Sequence, residues 1–160
     1  MEWKNSVEAS KMPILFLAIL VVIRTAVVFA VSGLLFLFAI LAMFLIAALI
    51  YLWAGYNAVK KFKLDTKETA LAGAITGLIS GLIDGAVSFA VLQYALSTGA
   101  QSTLAQRAGV SPYVLLMMSV LLGTIFWIAA GAVLAAVGGY IAMRGKPKEK
   151  PAAKRPSKRK

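Results

Sequence analysis

No charged residue occurs between Thr25 and Val59, and Phe29, Leu34, Phe36, Phe38, Leu45, Ile46 and Leu49 fall within that run. A helix crosses a hydrocarbon core of about 30 Å with about 20 residues, so the run exceeds one crossing. A water-soluble domain would need a solvated face on nearly every element, and this stretch has none. The pattern is that of an integral membrane protein.

The apolar segments divide into four predicted helices if Arg24 is placed inside the first. That helix runs from Pro13 to Val31, opened by a proline that suits a first turn. Ser32-Gly33 is the turn signal inside the long run and predicts a tight hairpin. The second helix covers Leu34 to Gly55, the third Thr69 to Leu96 and the fourth Pro112 to Met143. A polar connection from Lys60 to Glu68 joins the second and third, and Ser97 to Ser111 joins the third and fourth. A three-crossing layout would turn Pro13–Ile23 into an interfacial helix, but that segment lacks the polar face such a helix needs. The expected organisation is a cytoplasmic N-terminal segment (1–12), an all-α transmembrane bundle of two hairpins (13–143) and a disordered basic tail (144–160).

Basic residues orient the bundle. Lys60, Lys61, Lys63 and Lys67 fill one connection, whereas Arg107 is the only basic residue of the next. Short basic loops stay in the cytoplasm, so both termini are expected inside a cell membrane and Gln101–Arg107 outside. The N-terminal stretch resembles a signal peptide only loosely. Arg24 interrupts it and a second span follows at once, so cleavage is not expected. Tyr51, Trp53, Tyr56, Tyr113 and Tyr140 read as interfacial anchors.

Composition narrows the chemistry. The chain is 61% hydrophobic and 14% charged, with no cysteine and no histidine. Disulfides, thiolate or imidazole metal sites and the usual catalytic dyads are thereby excluded. No cofactor is implied.

The third helix carries the most specific pattern. Gly73, Gly77, Gly81 and Gly85 recur at an interval of four. Each glycine disfavours an aqueous helix by about 1 kcal/mol, so four in register call for close backbone approach. Gly123, Gly131, Ala135 and Gly139 offer a matching file on the fourth helix, where Trp127 would fill space opposite a glycine. A helix-packing groove, within one chain or between chains, is the principal reading; a lining for a polar pathway is the other. The second reading draws on a polar stripe beside the glycines, Thr76, Ser80, Asp84 and Ser88, which faces the bundle rather than lipid.

Arg24 and Asp84 are the charges within the spans, and each costs about 2.5–3.5 kcal/mol at a helix centre on the insertion scale. Arg24 has a stem long enough to snorkel outward, whereas Asp84 does not. Asp84 has three readings: an ion pair with Arg24, a neutral acid hydrogen-bonded by Ser80 or Ser88, or a functional carboxylate exchanging protons or binding a cation.

The tail holds nine basic residues, among them Lys154, Arg155, Lys158, Arg159 and Lys160, against Glu149. It has too few apolar side chains to fold, and it suits anionic lipid headgroups at about 1 kcal/mol per basic residue near the surface. Contact with nucleic acid or a ribosome is the lesser reading, because no aromatic residue is interleaved for base stacking. Gly55-Tyr56-Asn57-Ala58-Val59-Lys60 and Gly139-Tyr140-Ile141-Ala142-Met143-Arg144 share a Gly-Tyr-x-Ala-x-basic pattern. It suggests either two hairpins related by duplication or two similar exits from the bilayer.

The four spans, the Gly55-Tyr56 exit and the Gly73–Gly85 glycine zipper together resemble small uncharacterised four-helix membrane proteins of prokaryotes, archaeal ones especially. The resemblance implies no activity. Small multidrug transporters also place four helices in a short chain, but their first helix carries a membrane-embedded glutamate where this one carries Arg24. Holins share a basic tail but are usually shorter.

The expected role is non-enzymatic: a structural or accessory subunit of a membrane complex, or a bundle that self-assembles as a homo-oligomer. The alternative is a small transporter or channel using Asp84 and the Thr76/Ser80/Ser88 stripe. An enzyme has the least support, since Asp84 has no second acid, nucleophile or metal ligand beside it in sequence.

Overall fold

The computed structural model describes residues 3–30, 34–97 and 109–144. The expected Ser32-Gly33 turn, the Gln101–Arg107 loop and the basic tail, including Lys154, Arg155, Lys158, Arg159 and Lys160, lie outside the described residues. Within them the fold is all-α. Helix α1 spans Trp3–Ala30, α2 Leu34–Phe62, α3 Thr66–Ser97 and α4 Pro112–Arg144. All four are long and apolar enough to cross a membrane.

The helices outrun their predicted limits, and α1 does so most. It begins at Trp3 and continues through Pro13, which is buried inside it rather than opening it. Small residues explain the extension. Ser6, Ala9 and Ser10 are buried, and the Ser10 hydroxyl donates to the Ser6 carbonyl at 2.8 Å and the Ala72 carbonyl at 3.0 Å. The segment expected to stand apart in the cytoplasm is therefore packed on α3. Neighbouring helices of this kind are what let a proline persist within a span.

The connection between α2 and α3 shrinks to Lys63–Asp65. Lys63 takes a left-handed turn (φ 55°), and the Leu64 amide donates back to the Ala58 carbonyl at 3.3 Å. Leu64 is buried beside Ala9, Ala58 and Ala72. Asp65 then caps α3. Its carboxylate accepts from the Glu68 amide at 2.8 Å, and the Glu68 carboxylate accepts from the Asp65 amide at 3.4 Å. This reciprocal cap is written in the sequence as Asp-x-x-Glu.

Helix α3 makes its broadest interface with α4. Helix α2 also packs on α4, and α1 packs on α3 and α2. The ring order is α1, α2, α4, α3, with α1 and α4 at opposite corners. The large apolar side chains point outward: Leu35, Leu37, Phe38, Met117 and Leu121 are all more than half exposed. The interior is built mainly of Ala, Gly, Ser and Thr, with Tyr51 and Val59 its largest fully buried side chains. Lipid is as apolar as leucine, so helices associate here by close packing of small residues rather than by burying large ones.

The Gly-Tyr-x-Ala-x-basic echo has a local counterpart at both exits. Ala58 and Ala142 are fully buried, Tyr56 and Tyr140 are exposed, and the Lys60 and Arg144 cations sit over those rings at 5.6 and 4.6 Å. Two-fold symmetry about the membrane normal would place α1 opposite α3. Here they are neighbours, so the ring order gives no support to hairpins related in that way.

Candidate functional site: an ion pair at the centre of the spans

Neighbouring α1 and α3 bring Arg24 and Asp84 to one level. Arg24 Nη1 donates to Asp84 Oδ2 at 3.1 Å, while Nη2 and Oδ1 form an ion pair. Both side chains are partly covered, at 33% and 23% exposure. Arg24 thus turns inward to Asp84 instead of snorkelling to the outer end. A paired Asp84 also removes the need for Ser80 or Ser88 to stabilise a neutral acid.

Ser80 has a different partner. Its hydroxyl lies 2.9 Å from the Tyr51 hydroxyl and 3.2 Å from the Gly77 carbonyl. Tyr51 is fully buried, which corrects its reading as an interfacial anchor. Its ring stacks on Trp127 at 6.0 Å, and Trp127 stacks on Phe44 at 5.5 Å. The sequence signal for this burial is the small-residue file Ala47, Tyr51, Ala54 and Ala58, all buried on one face of α2. Thr76 is fully buried and donates to the Ala72 carbonyl at 2.8 Å. Ser88 lines two cavities beside Arg24.

The glycine face of α3 meets α4 within the same chain. A Cβ at Gly73 would collide with the Gly131 backbone, and one at Gly77 with the Trp127 backbone. Farther along the contact loosens: a Cβ at Gly81 would meet the Thr124 Cα and side chain at 3.0–3.1 Å, and one at Gly85 the Val120 side chain. Gly139 lies against Thr69, Gly131 also meets the Tyr51 ring, and Ala135 reaches Gly73 and Gly55. Two expectations are corrected. Nothing lies within 4 Å of a Cβ at Gly123, which lines a cavity instead of packing. The Trp127 indole stacks on Tyr51 and Phe44, and it is the Trp127 backbone that lies against Gly77.

Burial is one-sided. Buried residues stop at Leu17 in α1 and Gly85 in α3, and begin at Ala47 in α2 and Gly131 in α4. The half carrying Lys63–Asp65 is close-packed. The other half is looser, and Arg24 borders cavities of about 60, 120 and 310 Å³.

Comparison of the chain with models of known families, with curated proteins and with solved structures gives no match. The fold and site define a four-helix bundle whose helices suit membrane crossing, with an ion pair joining α1 to α3.

Proposed function

We propose that the protein is a non-enzymatic, multi-pass membrane component, acting as a structural or accessory subunit of a membrane assembly or as a self-assembling bundle. The observation that carries this reading is that the two charges and the Tyr51, Ser80 and Thr76 hydroxyls within the spans are partnered inside the chain. Arg24 holds Asp84, Tyr51 holds Ser80, and Thr76 holds a backbone carbonyl. The glycine face is likewise occupied by α4, so a second copy or another subunit docks elsewhere. The basic end, with the Lys60–Lys67 connection and the tail, lies in the cytoplasm, where Lys154, Arg155, Lys158, Arg159 and Lys160 meet anionic headgroups.

The second reading is a small transporter or channel working through Asp84. The cavities meeting at Arg24 favour it. The engagement of Thr76 and Ser80 in other bonds weighs against a continuous polar path. Purification in mild detergent tests the choice: a partner retained in fixed stoichiometry supports the subunit, and a homo-oligomer that conducts ions supports the transporter.

Orientation has its own test. A cysteine at Gln101 is expected to label from outside intact cells, and cysteines at Lys4 and Ser157 only after permeabilisation. Lys4 serves as the N-terminal reporter because it is exposed. Labelling of Ser157→Cys from outside reverses the orientation, and labelling of Lys4→Cys alone from outside removes one crossing.

A further inference from the structure

Two buried side-chain oxygens among the described residues accept or donate no hydrogen bond: Asp84 Oδ1 and Thr124 Oγ1. Oδ1 faces Arg24 Nη2 as an ion pair, but outside hydrogen-bond geometry. Asp84 and Thr124 are among the residues that line a cavity of about 120 Å³, with Arg24, Ser88 and Ser119. The cavity has room for water, and a buried water needs two to four polar partners. The lining supplies them. A carboxylate accepts, hydroxyls do both, and a guanidinium has five N–H groups, of which Asp84 takes only part. A cation is opposed by Arg24 and an anion by Asp84; neutral water is opposed by neither.

The space continues in one direction. Arg24, Thr25 and Ser88 are the polar residues of a wider cavity of about 310 Å³, otherwise walled by apolar side chains such as Phe29 and Val91, that extends toward the Ala30 and Ser97 ends. In the other direction the space narrows to a cavity of about 60 Å³ beside Leu17 and Ala47, bounded by the buried Tyr51 bonded to Ser80. The α3 and α4 backbones touch at Gly77, just beyond. We infer that water enters the bundle from the Ala30/Ser97 end and stops at Tyr51–Ser80. This makes a one-sided hydrated vestibule with the Arg24–Asp84 pair at its floor. The inference goes beyond the accessory-component reading and does not rest on it.

The chain contains no cysteine, so single-cysteine variants report without background. Right-side-out and inverted vesicles are treated with a charged, membrane-impermeant methanethiosulfonate. Gln101→Cys marks the side, and each thiol count is normalised to protein unfolded in denaturant. Ser88→Cys is expected to react only from the Gln101 side. It should do so about ten-fold or more faster than Met118→Cys on the outer surface of α4, because the reactive thiolate does not form in lipid. Ser80→Cys and Thr76→Cys are expected to stay unreactive from both sides in the folded protein. The vestibule is overturned if Ser88→Cys is no faster than Met118→Cys or reacts from both sides. Reaction at Thr76→Cys in folded protein overturns the closure. If Gln101 proves cytoplasmic and Ser88→Cys follows it, the orientation is wrong and the vestibule stands.

Discussion

Gly77→Ala is expected to destabilise the bundle by about 1–3 kcal/mol, the usual range for forcing an extra methyl into a close-packed interface. The new Cβ would meet the Trp127 carbonyl, which is backbone and has no rotamer by which to yield. Helices α3 and α4 would have to separate along their closest stretch. Gly77→Leu is expected to do more, lowering the thermal unfolding temperature further or preventing recovery of folded protein. Gly123→Ala is the matched control, because nothing lies within 4 Å of its new methyl group. Alanine favours a helix over glycine by about 1 kcal/mol, so Gly123→Ala should be neutral or slightly stabilising. Equal effects at the two positions would show that α3 and α4 do not meet as described.

The second large effect lies at the ion pair. Asp84→Asn leaves Arg24 as an unmatched cation within the spans, and removing one partner of a buried pair costs about 3–5 kcal/mol. Both side chains are partly exposed, so the lower end of that range is expected. Arg24→Leu alone leaves Asp84 unmatched and should be comparably harmful. Arg24→Leu combined with Asp84→Asn should cost less than the sum of the singles, with a coupling of about 0.5–3 kcal/mol for residues in direct contact. Thermal unfolding of the four proteins in one detergent completes the cycle. An additive double change, with Asp84→Asn as stable as the parent, would mean that the carboxyl behaves as a neutral hydrogen bonder.

The four spans were legible because uncharged length alone distinguishes a crossing from a soluble helix. Arg24 and Asp84 were legible as the charges that interrupt that length. Their partnership was one of three readings and could not be singled out, because it depends on α1 and α3 being neighbours, and helical periodicity orders faces without naming what each face meets. Pro13 misplaced the start of α1. A proline inside a helix is costly in water, but Ser6, Ala9 and Ser10 hold the preceding turns against α3. Tyr51 was misread because tyrosine is common at membrane interfaces, whereas its bond to Ser80 is a tertiary event. Gly123 lies on the same file as Gly131, yet by that level Thr124 and Val120 have already spread α4 from α3. Spacing identifies which residues share a face; it does not report where two helices diverge.

Arg24–Asp84 ties α1 to α3 at the looser half of the bundle, and the function proposed above makes that tie structural. The most direct test is proton and monovalent-cation flux in proteoliposomes of the purified chain. The account predicts flux indistinguishable from protein-free liposomes, for the parent and for any Asp84→Asn protein that reconstitutes folded. Flux in the parent that disappears in folded Asp84→Asn would contradict it and establish Asp84 as a working transport group.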